Sequence, residues 1–165
     1  MKLELLSLLA IFVLGSCTNT PHPIGTMKTS QPDSEPGIIV DNQDPALHVE
    51  GQWSVGQSPT AYHEDCLSAP FWKNPADGSL DPVHFATATA HPQLPWAGMY
   101  EVYVWWCSAS VENLSTQQRI WLCASQGYSC VSIYSNPHDN VGQWHSLGIY
   151  YMDINGDITV RNGET

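Results

Sequence analysis

Cysteine offers more chemistry than any other residue type in this chain, and there are five. A thiol attacks an electrophile, ligates a soft metal or forms a crosslink, and spacing separates these roles. Cys66, Cys107, Cys123 and Cys130 include no C-x-x-C pair, and the seven histidines supply no closely spaced pair to complete a zinc site. Crosslinking remains, and four cysteines allow three connectivities. Cys123 and Cys130 flank Ala124–Ser129 on the two arms of a predicted hairpin, which brings their Cα atoms within bonding range. Cys66 is then left to pair with Cys107. That bridge closes a loop of about forty residues, worth roughly 3–4 kcal/mol in the chain-entropy picture.

The carboxylates invite two further readings. Asp153, Asn155, Asp157 and Glu164 fall in an EF-hand-like register, but Ile158 occupies the position that needs glycine and no helix flanks the segment. Asn155-Gly156 as a tight turn explains the same residues more simply. Asp41, Asp44 and Glu50, near the first strand of the folded part, are candidate ligands for a structural calcium ion. The simpler reading has Asp41 and Asn42 hydrogen-bonding a turn before Pro45. Glu64-Asp65 and the dispersed histidines form no acid–base constellation that the sequence itself fixes. Nor is there a nucleophile elbow, an H-E-x-x-H segment or a phosphate loop. The expectation is a protein without catalytic residues or an obligate cofactor.

Seven Trp and seven Tyr are the other chemical resource. A flat ring stacks on the apolar C–H face of a sugar, while neighbouring polar groups read its hydroxyls; the competing use is core packing. Trp53 and Trp144, each after Gly-Gln, read as core. Trp72 in a loop-like insertion, Trp96 beside Pro95, and Tyr103 and Trp105 on a strand are the candidates for an exposed binding platform.

These residues need an export route and a scaffold. Leu5–Leu14 (LLSLLAIFVL) has the length of a signal-peptide apolar core and is too short to span a bilayer. Leu14-Gly15-Ser16-Cys17 resembles the lipobox of bacterial lipoproteins. The resemblance implies removal of residues 1–16, acylation of Cys17 and anchoring of the protein to a membrane of the bacterial envelope. Residues 18–36, with four prolines and many Ser and Thr, read as a tether spanning roughly 25 Å. Sixteen acidic residues against five Lys+Arg give a net charge of −11. That balance argues against nucleic acid, which demands clustered cations, and leaves a basic protein partner open.

Residues 37–165 form the predicted domain, and their hydrophobic period is two. Met99–Trp106 alternates with Tyr100, Val102, Val104 and Trp106 on one face and Glu101, Tyr103 and Trp105 on the other. Leu147–Met152 and Asp157–Val160 around Asn155-Gly156 read as a hairpin. No amphipathic helix is apparent, so the class is all-β, a two-sheet sandwich or jelly roll stapled by disulfides.

Ile38–Asn42 with Asp44, Gly51-Gln52-Trp53, Ala86–Thr89, Leu94–Trp105 and Gly142–Tyr151, in that order, resemble the golvesin C-terminal-like domain found with xanthan-lyase-type proteins. The resemblance implies a galactose-binding-like jelly roll with an accessory role in envelope or polysaccharide-degrading proteins, and it brings no catalytic residue. Two departures stand out. The family continues into one more strand lying near the first, so here another element fills that place or an edge stays open. The family is also poor in cysteine. The resulting expectation is a non-catalytic envelope lipoprotein that binds a glycan. A protein-interaction module (an assembly subunit or an inhibitor of an exported hydrolase) is the second reading, and a small hydrolase the third.

Overall fold

The computed structural model describes residues 4–8, 12–16, 37–71, 86–108, 118–139 and 141–161. The lipidation candidate Cys17, the tether and the platform candidate Trp72 lie outside the described residues. Among the described residues there are twelve strands and no helix. They are β1 (Glu4–Leu8), β2 (Phe12–Ser16), β3 (Ile38–Val40), β4 (Leu47–Glu50), β5 (Ser54–Gln57), β6 (Asp65–Phe71), β7 (Thr87–Ala90), β8 (Gly98–Trp105), β9 (Gln118–Ser125), β10 (Tyr128–Ser135), β11 (Trp144–Met152) and β12 (Asp157–Arg161).

The strands form a five-stranded sheet in the order β10-β9-β12-β7-β4, a four-stranded sheet β11-β8-β2-β3 and a small sheet β1-β6-β5. The two larger sheets pack face to face as a β-sandwich. The period-two pattern of β8 dictates the inner layer: Tyr100, Val102 and Val104, with Trp106 just beyond the strand, are all buried. They meet Ile120 and Leu122 of β9, Ile158 and Val160 of β12, and Ala88 and Ala90 of β7 in one core. Trp106 is fully buried, and its indole N–H donates to Ser135 Oγ at 2.9 Å, so this polar atom is satisfied across the core.

Both expected disulfides are present. Cys123 and Cys130 face each other across β9 and β10, and Cys66 of β6 joins Cys107 just after β8. The β9–β10 connection is tighter than the six-residue loop read from sequence. The strands run on to Ser125 and Tyr128, leaving Gln126-Gly127 as the turn, with Gly127 at φ +72°.

Asn155-Gly156 corrects the expectation more strongly. The segment is a turn, with the Gly156 N–H donating to the Asp153 carbonyl at 3.0 Å, but β11 and β12 do not pair; they belong to different sheets. The turn carries the chain from one layer to the other. Gly156 is buried there, and a Cβ would crowd Met152, 2.7 Å from its Cε and 3.2 Å from its Cβ, and lie 3.3 Å from the Ala124 carbonyl oxygen. A local turn signal fixes a reversal and says nothing about which sheet receives the next strand.

The place beside the first strand of the domain is filled. β2 pairs antiparallel with both β3 and β8, Leu14 lying opposite Ile38 on one side and Val102 on the other. The segment read as a leader thus completes the four-stranded sheet.

Candidate functional site

The platform residues predicted from sequence do not form one platform. Trp96 is 54% exposed just before β8, and its loop is held by the Tyr100 hydroxyl, which donates to the Trp96 carbonyl at 2.6 Å. Burial pushes the Tyr100 phenol above the usual tyrosine range, so this donor keeps its proton. Trp105 stands at the far end of β8, about 20 Å or more away for an extended strand. There Tyr62 and Trp144 each meet the Trp105 ring edge-to-face, all three rings packing against Cys66 and Cys107, and the Trp105 N–H donates to the Thr60 carbonyl at 2.8 Å. A ring held on its edge offers little face for stacking. Tyr103 lies half-buried between these ends.

Beside that aromatic cluster is a cleft of about 380 Å³ lined by Gln57, Ser58, Pro59, Ala61, Tyr62 and Glu64. Asp41 binds the Nδ1 of His63 and also accepts the Asn42 backbone N–H, while Asn42 and Gln43 donate their amides to Asp65. The carboxylates here hold loops together. The calcium candidates diverge: Asp41 and Asp44 serve the β3–β4 turn, Asp44 accepting the Ala46 N–H at 2.7 Å, whereas Glu50 ends β4 beside His48. Among the described residues no group of three or more His, Cys, Asp and Glu could hold a metal ion.

A different surface gathers aromatic and polar groups, and the sequence reading missed it. Ile120 and Leu122 of β9 and Ile158 and Val160 of β12 point into the core, so Arg119, Trp121, Thr159 and Arg161 point outward. Register then builds a row across all five strands: Ser132, Trp121, Thr159, Thr89 and His48 are successive cross-strand partners. Trp121, half-buried, sits in this row with the Arg119 guanidinium 3.9 Å over its ring. Arg119 donates Nε and Nη2 to Ser132 Oγ at 3.1 and 2.9 Å, and the Tyr134 ring lies 6.0 Å away. Thr89 and Thr159 share a hydroxyl–hydroxyl bond of 3.0 Å. The readable signal was Arg119-Ile120-Trp121: with a core residue in the middle, its neighbours share the outer face.

No family model matches the chain. It is 27% identical over 156 residues to a xanthan lyase of Bacillus sp. (strain GL1), covering 93% of this chain and 15% of that protein. Its fold matches a solved structure of Paenibacillus xanthan lyase with a TM-score of 0.53 at 16% identity, over 97% of this chain and 20% of the other. The chain therefore corresponds to a small part of each relative. Two disulfides in a domain of this size fit folding in an oxidising, exported setting. This chain is thus a disulfide-bonded β-sandwich similar to one segment of xanthan lyases.

Proposed function

We propose that this protein is a non-catalytic envelope lipoprotein whose sandwich domain, of the golvesin C-terminal-like kind, binds polysaccharide through the outer face of its five-stranded sheet. The observation that carries the reading is Trp121, half-exposed on the second strand of a five-strand row whose other members are hydroxyl and imidazole groups. A pyranose ring packed against the part of the indole left open beside the overlying Arg119 guanidinium buries its C–H face, while Thr159 and Thr89 meet its hydroxyls. Similarity to part of a polysaccharide-acting enzyme supports an accessory role rather than the whole enzyme's chemistry. The test is titration of the purified protein with a polysaccharide panel, read by tryptophan fluorescence. Saturable binding is expected, and none by a folded protein rejects the reading.

Anchoring follows the lipobox resemblance: cleavage before Cys17 and acylation on its sulfur. One observation favours a second reading, in which residues 1–16 stay with the domain: β2 is paired on both sides within a sheet. The mass of the membrane-extracted protein decides. A chain starting at an acylated Cys17 supports the anchor, and release from membranes on Cys17→Ser agrees with it; an unacylated chain retaining Phe12–Ser16 supports the second reading.

A further inference from the structure

The same face carries a feature that a neutral glycan does not require. Among the described residues Arg119 and Arg161 are the only Lys or Arg side chains, in a chain of net charge −11. Both arginines project from one sheet face. Val160 pairs with Ile120, and the next residue on each strand is Arg161 and Arg119, so the two lie side by side on β12 and β9. Gln118, 1% exposed, fastens this end by donating its amide to the carbonyls of Arg161, at 2.6 Å, and Arg119, at 3.0 Å.

We infer that the ligand is an acidic glycan, a polymer bearing uronate or other carboxylate groups, read by Arg119 and Arg161 beside the Trp121 stacking surface. This inference rests on the glycan-binding reading above. Arginine presents a rigid planar fork that matches a carboxylate, and Ser132 and Trp121 already orient one fork. Among the described residues the remaining charged side chains other than histidine are all acidic and would repel an acidic polymer, so the arginine pair selects the contact face as well as the ligand. Glu50 lies two strands from Arg161 in register, about 10 Å away, and marks the acidic border of the site.

The test pairs each of several uronate polymers (polygalacturonate, alginate and hyaluronan) with its carboxyl-reduced, neutral form, and titrates the purified full chain with both. Binding to at least one native polymer is expected, weaker by about tenfold or more after carboxyl reduction, after Arg119→Gln and after Arg161→Gln, and diminished by salt. Arg119→Lys, which keeps the charge but loses the fork, should recover only part of the loss. Equal binding to native and reduced polymers overturns the carboxylate inference and leaves glycan binding standing. The same holds for tighter binding to the reduced form, or for carboxylate-dependent binding that ignores both arginine variants. No binding to any polymer by a folded protein removes both readings. Because carboxyl reduction alters only the ligand, the comparison remains decisive even if one variant misfolds.

Discussion

The two large sheets share one core, yet their outer faces have opposite characters. On the four-stranded sheet, β8 and β11 set Met99 opposite Tyr151 and Glu101 opposite Ile149, with Trp96 nearby; Met99, Tyr151, Ile149 and Trp96 are all exposed. On the five-stranded sheet Arg119, Trp121, Ser132, Thr159 and Thr89 point outward, beside the exposed ring of Tyr134. The first face is apolar, with Glu101 held to Ser146 at 2.9 Å, and suits contact with another apolar surface. The second alternates ring, cation and hydroxyl, which suits a sugar. An exposed aromatic is therefore informative through its neighbours, and Trp121 outranks the more exposed Trp96 because of what flanks it.

The sheets also differ in how they are fastened, and this comparison carries the largest expected effect. Replacing both Cys66 and Cys107 by Ser frees a crosslink spanning 41 residues, and stability should fall by roughly 3–4 kcal/mol. The equivalent change at Cys123 and Cys130, separated by 7 residues on neighbouring strands, should cost about 2 kcal/mol. Urea denaturation of both double variants checks the order. A larger loss at the β9–β10 bridge would show that the hairpin depends on its staple more than its pairing implies.

Ligand binding sharpens the contrast of faces. Trp121→Ala should weaken glycan binding by about tenfold or more, as for other central aromatic anchors. Tyr151→Ser on the opposite face should change it by less than about twofold, by isothermal titration. Equal effects would merge the two faces into one surface.

Much of this was legible in advance. The alternation of Met99–Trp106 and the β-branched segments around it specify strands and an inward face, because a sheet with one buried side leaves period two in its sequence. Hairpin proximity of Cys123 and Cys130 made their pairing readable, and Cys66 with Cys107 followed. Asn155-Gly156 misled, because a tight turn can reverse the chain between sheets as well as within one. The site was the least legible part. Arg161 and Arg119 are far apart along the chain and meet only through the β9–β12 register, which no local pattern encodes. The place filled by β2 was unreadable for a related reason: β2 takes Phe12–Leu14 from the apolar run read as a leader, and nothing local in that run encodes pairing with β3 and β8.

The smallest expected effect concerns the five-stranded sheet alone. Asp157 begins β12 buried, and burial raises its carboxyl above the ordinary range, against the opposing pull of the Gly127 N–H at 3.2 Å and of His91. A carboxyl raised in the fold favours the folded state most when protonated. Its contribution is complete below the unfolded value of about 4 and is lost as pH rises through the folded value. Asp157→Asn keeps an acceptor for Gly127 and removes the charge. Its advantage in urea midpoint over the wild type should therefore be greater at pH 7 than at pH 4. An equal gap at both values would contradict the burial argument.

The most direct test is to compare polysaccharide binding by the wild-type protein, Trp121→Ala and Trp96→Ala, with near-UV circular dichroism establishing that each is folded. The account predicts saturable binding that Trp121→Ala abolishes or cuts by about tenfold and Trp96→Ala leaves unchanged. Binding that survives Trp121→Ala and disappears with Trp96→Ala would contradict it and move the site to the four-stranded face.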